Sequence, residues 1–385
     1  MRVLYFMNHA DCGGAALALY DLIYETKKDV DIEPIVITGK KNKLNKMLTD
    51  IGVENYTAPF KNFMSTYKEP KCIYILLLKL RYKIGQYFAI KKIERIIDFS
   101  TIDIIHSNLN RIDIGAIFAK KYNIPHIWHI REHADGRDFK LVSVIKNPIL
   151  YMNSFDSYKI IISNSVKKAW IEKGLSKRRQ YMIYDGIRSE MYKSLINKNN
   201  SKLRAIFLGG YTLSKGQEYL IDELCGLPEE MKDKIEIDFF GNGNDKYINY
   251  LRNKIRINQL SSVMTLHLYQ DNIWEKVPNY DVGFTCSMGE GFGRVTIEYM
   301  MSGLCPIVSN GGASPEIVEN GVNGIVYDLH KKGELLKKVM WAIDNKEKII
   351  SMGVEAEKFS KKSYSMREHA RKVKELYLEV LEKNE

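Results

Sequence analysis

Short β-branched and aromatic runs alternate with amphipathic stretches along most of the chain, the pattern left by βαβ units that build a parallel sheet. In the first half such runs predict strands over 2–7, 34–38, 103–107, 126–130, 159–163 and 181–184. The second half repeats the theme at 204–208, 235–240, 263–268, 282–286, 305–309 and 325–327. Between the two sets, Asp185-Gly-Ile187 reads as a turn and the polar Asn197-Lys-Asn-Asn-Ser-Lys202 as a linker. The expected fold class is α/β, with two doubly wound domains, 1–190 and 191–365, facing across a cleft. From 366 to 385, Ala370, Val373, Leu376, Tyr377 and Val380 share one face. They predict a C-terminal helix that packs back toward the first domain. Ligands of doubly wound sheets bind beyond the carboxyl ends of the strands, so informative side chains are expected just after strands.

Composition agrees with this division. A chain of 385 residues with 45% hydrophobic content exceeds the size at which one core stops growing. The apolar start, Met1 to Met7, is too short for a signal peptide, and no apolar run reaches the roughly 18 to 20 residues that span a bilayer. Cys12, Cys72, Cys225, Cys286 and Cys305 are scattered and form no CxxC pair, which suggests neither a zinc site nor a disulfide framework and fits a reducing cytoplasm. The net charge of +11 calls for a polyanionic partner or surface: nucleic acid, anionic lipid or a phosphorylated substrate. Basic residues concentrate over 61–95, where Lys79, Arg81, Lys83, Lys91 and Lys92 are interleaved with a leucine-rich run, Tyr82, Ile84, Tyr87 and Phe88. Two readings of that stretch stand side by side: a helix lying in an anionic membrane interface, and a solvated helix whose apolar face packs on its own domain.

The richest stretch follows the strand predicted at 282–286 and runs through Glu290-Gly-Phe-Gly-Arg-Val-Thr-Ile-Glu298. A glycine loop leading into a helix presents free backbone N–H groups and the positive end of the helix dipole, an anion site. Glu290 falls in the loop and Glu298 roughly five residues into the helix, about 7 Å further along. Carboxylates on either side of an anion site suit a ligand with hydroxyls at both ends and a diphosphate between them. Taken alone, the pair is better served by a helix cap at Glu290 and a surface salt bridge at Glu298. A second glycine turn, Gly13-Gly14, follows the first predicted strand, where glycine lets backbone approach a phosphate. The pair Gly241 and Gly243 begins like a dinucleotide fingerprint but lacks the third glycine and reads as a βα turn. At the end of the strand over 126–130, His129, Arg131, Glu132 and His133 cluster, and alternation in an extended chain puts His129, Arg131 and His133 on one face. Arg131 and Glu132, then His129, are the expected functional residues of this cluster. Asn108 and Ser165, each just after a strand, are expected to cap helices.

The stretch from Glu290 to Glu298 resembles the E-x7-E motif of the retaining family-4 glycosyltransferases, which have the GT-B fold of two Rossmann-like domains. The likeness continues through Gly303-Leu-Cys-Pro-Ile-Val-Ser-Asn-Gly311-Gly-Ala-Ser-Pro-Glu316-Ile-Val, similar to the family's GxPVVxxxxGGxxEIV segment, and through Asn320-Gly-Val-Asn-Gly324. Leu208-Gly-Gly-Tyr-Thr-Leu-Ser-Lys215-Gly216 is similar to its GRLxxxKG segment. The resemblance implies that Glu290 contacts the donor sugar, that Glu298 contacts the ribose, and that Lys215 neutralises the leaving diphosphate. It implies a diphosphate cradle in Gly291, Phe292, Gly293, Arg294 and Val295, with Gly13 and Gly14 also over the donor. Aligned on Lys215-Gly216, the family's usual arginine falls on Gly210. Arg294 is a candidate to supply the missing cation, and heavier reliance on backbone N–H groups is the alternative.

The reaction implied is retaining transfer of a hexosyl or N-acetylhexosaminyl group from a nucleotide diphosphate sugar to a glycan or lipid-linked acceptor, in bacterial surface polysaccharide or glycolipid assembly. No DxD pair stands near the glycine loops, so no metal and no other cofactor is expected. A sugar-nucleotide 2-epimerase of the same fold is the enzymatic rival. The rival of another class is a basic protein that binds nucleic acid or a membrane surface. The basic stretch has no recognition helix or RNP-like strand, so no nucleic-acid partner is expected. The expected location is the cytoplasm, peripheral on the inner face of the plasma membrane if the 61–95 stretch is interfacial.

Overall fold

The computed structural model describes residues 1–8, 13–28, 31–67, 72–133, 140–194 and 201–384. The chain divides into two compact units, one of 1–186 with 366–385 and one of 187–365. The core of the linker predicted over 197–202 lies outside the described residues. The second unit starts at Ile187 because its N–H donates to Tyr364 O, in a short parallel bridge with Ser365.

In the first unit, β1 (Arg2–Met7), β2 (Glu33–Thr38), β3 (Glu54–Thr57), β4 (Met64–Tyr67), β5 (Ile104–Ser107), β6 (His126–Ile130), β7 (Lys140–Ser143), β8 (Tyr158–Ile161) and β9 (Gln180–Met182) follow in chain order. Seven of them form a parallel sheet in the order β3-β2-β1-β5-β6-β8-β9, and β4 pairs antiparallel with β7. The sequence pattern did not predict β3, β4 or β7. The β1 residues Val3 to Met7 are buried without exception, the mark of a central parallel strand covered on both faces. The C-terminal helix Met366–Glu382 belongs to this unit and buries Ala370, Val373, Leu376, Tyr377 and Val380 in its core.

In the second unit, β10 (Leu203–Leu208), β11 (Ile235–Gly241), β12 (Met264–Leu268), β13 (Val282–Thr285), β14 (Cys305–Ser309) and β15 (Ile325–Tyr327) make a parallel sheet in the order β12-β11-β10-β13-β14-β15. Ala205, Phe207, Ile237, Phe239, Phe284 and Ile307 line its core. In each sheet the strand order reverses once, between β1 and β5 and between β10 and β13. A crevice opens at such a point because consecutive connections leave toward opposite faces.

Two capping expectations are corrected. The helix Asn164–Glu172 is capped by Ser163, whose hydroxyl accepts from Val166 N–H, and not by Ser165. Asn108 caps nothing; its amide donates to Ala15 O and its carbonyl accepts from Arg131 Nε.

Candidate active site

The reversal point of the second sheet gathers the residues singled out in that half. Past β10, the backbone turns through Gly209 and Gly210 into the short turn Leu213–Lys215 and then Gly216. Gly216 has φ +80°, and a Cβ there would stand 2.2 Å from Cys286 O at the end of β13. Only glycine lets this turn press on the neighbouring strand, and the contact carries Lys215 across to the loop after β13. There Lys215 Nζ donates to Glu290 Oε1 at 2.7 Å, and Ser287 Oγ donates to the same oxygen at 2.6 Å. The loop is fixed from its far side as well. Gly312 has φ +63° and packs so closely on Glu290 that a Cβ would lie 2.3 Å from its carbonyl oxygen, while Ala313 N–H donates to that oxygen.

After Phe292, Gly293 at φ +88° starts the helix Arg294–Met301. Thr285 and Thr296 share a hydrogen bond, and Tyr299 OH accepts from Leu208 N–H, so this helix is pinned to the ends of both β13 and β10. Its N–H groups open beside the Lys215–Glu290 pair, an arrangement that attracts an anion. Glu298 is buried and accepts from Tyr192 OH at 2.9 Å and from Arg294 Nε at 3.0 Å. Arg294, the candidate for the cation missing at Gly210, has its Nε on Glu298, one helical turn on. Val295 is half-buried beside it. Gly210 itself contributes its carbonyl, which accepts from Gln217 Nε2. Gly241 and Gly243 follow β11 as a turn before the helix Asp245–Ile257, and a Cβ at Gly241 would lie 2.0 Å from Gly209 O.

In the first unit, Gly13 precedes the helix Gly14–Thr26 and its carbonyl accepts from Ala16 N–H and Leu17 N–H; a Cβ at Gly14 would meet nothing within 4 Å. The rest of that loop, 9–12, is outside the described residues. The cluster after β6 divides. Arg131 is buried, with Nη1 on both carboxylate oxygens of Asp185, Nε on Asn108 Oδ1 and Nη2 3.2 Å from His129 Nδ1. His129 is buried too, with Nδ1 3.2 Å from His106 Nε2, and His106 Nδ1 lies 2.6 Å from Tyr377 OH. Burial first, then the Arg131 charge, hold His106 and His129 well below the ordinary imidazole value, so both are neutral near pH 7. Glu132 is more exposed and ion-pairs with Arg111. His133 Nε2 lies 3.5 Å from Ser165 Oγ. The first unit thus holds Arg131 and His129 inside a polar network, and Glu132 stands at its edge.

Ser287, Tyr192 and Asp185 were not anticipated. Tyr192 lies in the second domain ahead of the first strand predicted there, at 204–208, and Asp185 reads only as part of a turn. Only the serine's position after a strand end signalled its contact.

Two parallel α/β units, one with a lysine and a carboxylate at the reversal point of its sheet, define the architecture of GT-B glycosyltransferases. The crystal structure of Anabaena HepE in complex with UDP aligns with a TM-score of 0.80 at 19% identity, covering 98% of this chain and 99% of that one. The structure of TarM aligns at 0.75, with 13% identity and 98% of each chain covered. The model of the family glycosyl transferases group 1 matches residues 190–364, and the protein is a glycosyltransferase. An uncharacterised glycosyltransferase of Methanocaldococcus jannaschii is 28% identical over 307 residues, 78% of this chain and 79% of its own. The capsular polysaccharide biosynthesis glycosyltransferase CapH of Staphylococcus aureus is 23% identical over 256 residues, 64% of each chain. Both relatives are described as glycosyltransferases and neither as an epimerase.

Proposed function

We propose that the protein moves a hexosyl or N-acetylhexosaminyl group from a nucleotide diphosphate sugar to an acceptor hydroxyl, with retention and without a divalent cation, in surface polysaccharide or glycolipid assembly in the cytoplasm. The observation that carries the reading is the Lys215–Glu290 pair beside the N-terminus of the helix Arg294–Met301. In this reading a diphosphate rests on the helix N–H groups and takes Lys215 as its cation, which frees Glu290 to accept from sugar hydroxyls. Glu298, held by Tyr192 and Arg294, meets the ribose. The bond from the anomeric carbon to the diphosphate oxygen breaks, the acceptor oxygen bonds to that carbon on the same face, and the acceptor's proton passes to the departing phosphate. This needs no protein nucleophile, and positioning supplies the rate. The complexes of HepE with UDP and UDP-glucose, and the capsular role in the name of CapH, make UDP-sugars the donors to try first.

The test is a transfer assay with UDP-sugars, with the product anomer read by NMR. Turnover is expected to survive EDTA. Glu290→Gln is expected to lower kcat by about 100-fold, and Glu298→Ala to raise the Kd for UDP by about tenfold, the scale of one lost charge-assisted hydrogen bond. Loss of activity in EDTA that magnesium restores, or an inverted product, overturns the corresponding part of the reading.

A further inference from the structure

The helix Cys72–Ile96 presents an apolar surface that nothing among the described residues of its own unit covers. Leu76, Leu77, Leu80, Ile84, Tyr87 and Phe88 are exposed to between 49% and 63%. At about 100° per residue these six fall within one arc of about 120°. Lys79 and Lys83 border the arc on one side and Arg81 and Lys92 on the other, Lys91 and Arg95 fall within it at its C-terminal end past Phe88, all are exposed, and no acid stands between 72 and 93. The next acid, Glu94, is ion-paired with Lys121.

The opposite side of the helix is anchored, so this arc is not an unpacked core face. Ala89 and Ile93 are fully buried, Gln86 Nε2 donates to Asp113 Oδ1 at 2.7 Å, and Tyr82 OH donates to the same carboxylate. Gly85 sits where a Cβ would come 2.9 Å from Pro59 O, so a residue that disfavours helices is placed where the helix presses on the domain. The helix is thus held with its apolar arc outward.

We propose that this arc lies in the interface of an anionic lipid bilayer, the helix axis parallel to the membrane plane, with the leucines and aromatic rings among the acyl chain ends and the two basic rows on anionic headgroups. An apolar arc flanked on both sides by cations, with no acid in it, matches that surface in shape and charge. It does not suit a second copy of the chain, because a twofold contact through the arc would bring the basic rows against one another. Nor does it cross the membrane, since no helix among the described residues is long and apolar enough to span one. The proposal is independent of the sugar chemistry: a protein that fails to bind vesicles can still turn over donor, and one that binds them can lack the donor activity.

Co-sedimentation of the full chain with vesicles tests it. Binding is expected to equimolar phosphatidylcholine–phosphatidylglycerol vesicles at physiological salt, and at least tenfold weaker binding to phosphatidylcholine alone. Leu80→Glu with Phe88→Glu is expected to abolish binding without shifting the thermal midpoint in UDP. Should that variant fold poorly, Lys79→Ser with Lys83→Ser leaves the apolar arc intact and is expected to weaken binding about fivefold per charge. Absence of binding to the anionic vesicles, equal binding to both vesicle types, or wild-type binding by the variants overturns the proposal. So does a stable dimer in sedimentation that Leu80→Glu disperses.

Discussion

At the scale of single residues, the second-unit site depends as much on absent side chains as on present ones. Lys215 meets Glu290 because Gly216 can hold φ +80° against the end of β13, and Glu290 is held because Gly312 can hold φ +63° against its backbone. Gly216→Ala adds both a disfavoured dihedral and a methyl 2.2 Å from Cys286 O. It is expected to lower stability by about 1–3 kcal/mol and, because the turn must move, to lower kcat as well. Gly210→Ala is the control: its nearest neighbour would be Asn242 O at 3.4 Å, so near wild-type stability in urea unfolding is expected. Equal losses in the two variants would show that the turn does not set the lysine. The motif marked Lys215 and Glu290 in sequence, but not their direct contact or the serine that joins it. A hydrogen bond between groups 75 residues apart has no local signature. Arg294 is the instructive case. One helical turn from Glu298, it is legible as an i,i+4 ion pair, and its Nε makes that contact.

At the scale of elements, hydrophobic patterning sufficed wherever a strand is buried on both faces. Every strand it predicted is present, with ends moved by one or two residues, because a run buried throughout such as Cys305 to Ser309 has no other use. It missed β3, whose Glu54-Asn-Tyr-Thr57 is a partly exposed edge with no apolar run, and the β4–β7 pair, which is short and outside the main sheet. The helix Met366–Glu382 shows the limit from the other side. Its apolar face was legible, but not that Tyr377 OH bonds Tyr5 OH at 3.0 Å and lies 2.6 Å from His106 Nδ1 in the first unit. Tyr377→Phe keeps the shape of the core and leaves two buried polar groups without that partner. A loss of about 1–3 kcal/mol in urea unfolding is expected, with UDP affinity unchanged. A change confined to UDP affinity would mean that the tyrosine's hydroxyl serves the donor site and not the helix.

At the scale of the whole molecule, the two units are built to answer pH differently. His106, His126, His129 and His369 all belong to the first unit and are fully buried. Burial is the main cause that pushes each of them down, His126 to about 3, with Arg131 adding to it at His106 and His129, Lys159 at His126, and Asp185 opposing it at His369. When folded-state values are depressed, the unfolded chain takes up protons first as pH falls through about 6.5, and the folded state loses stability. Each histidine contributes up to about 1.4 kcal/mol per pH unit until it also protonates in the fold. Asp113 acts in the opposite sense: burial raises it to about 6, so between that value and its ordinary 3.8 the folded state binds its proton and gains stability on acidification. One such group against four leaves a net loss. Between pH 7.5 and 5.5, amide exchange is therefore expected to accelerate in β1, β5, β6 and the helix Met366–Glu382, and to change little in β10 and β13. Saturating UDP at either pH should slow exchange around 286–299 and leave the acid-sensitive strands unaffected. Uniform acceleration across both units would mean that the buried histidines do not govern the acid response.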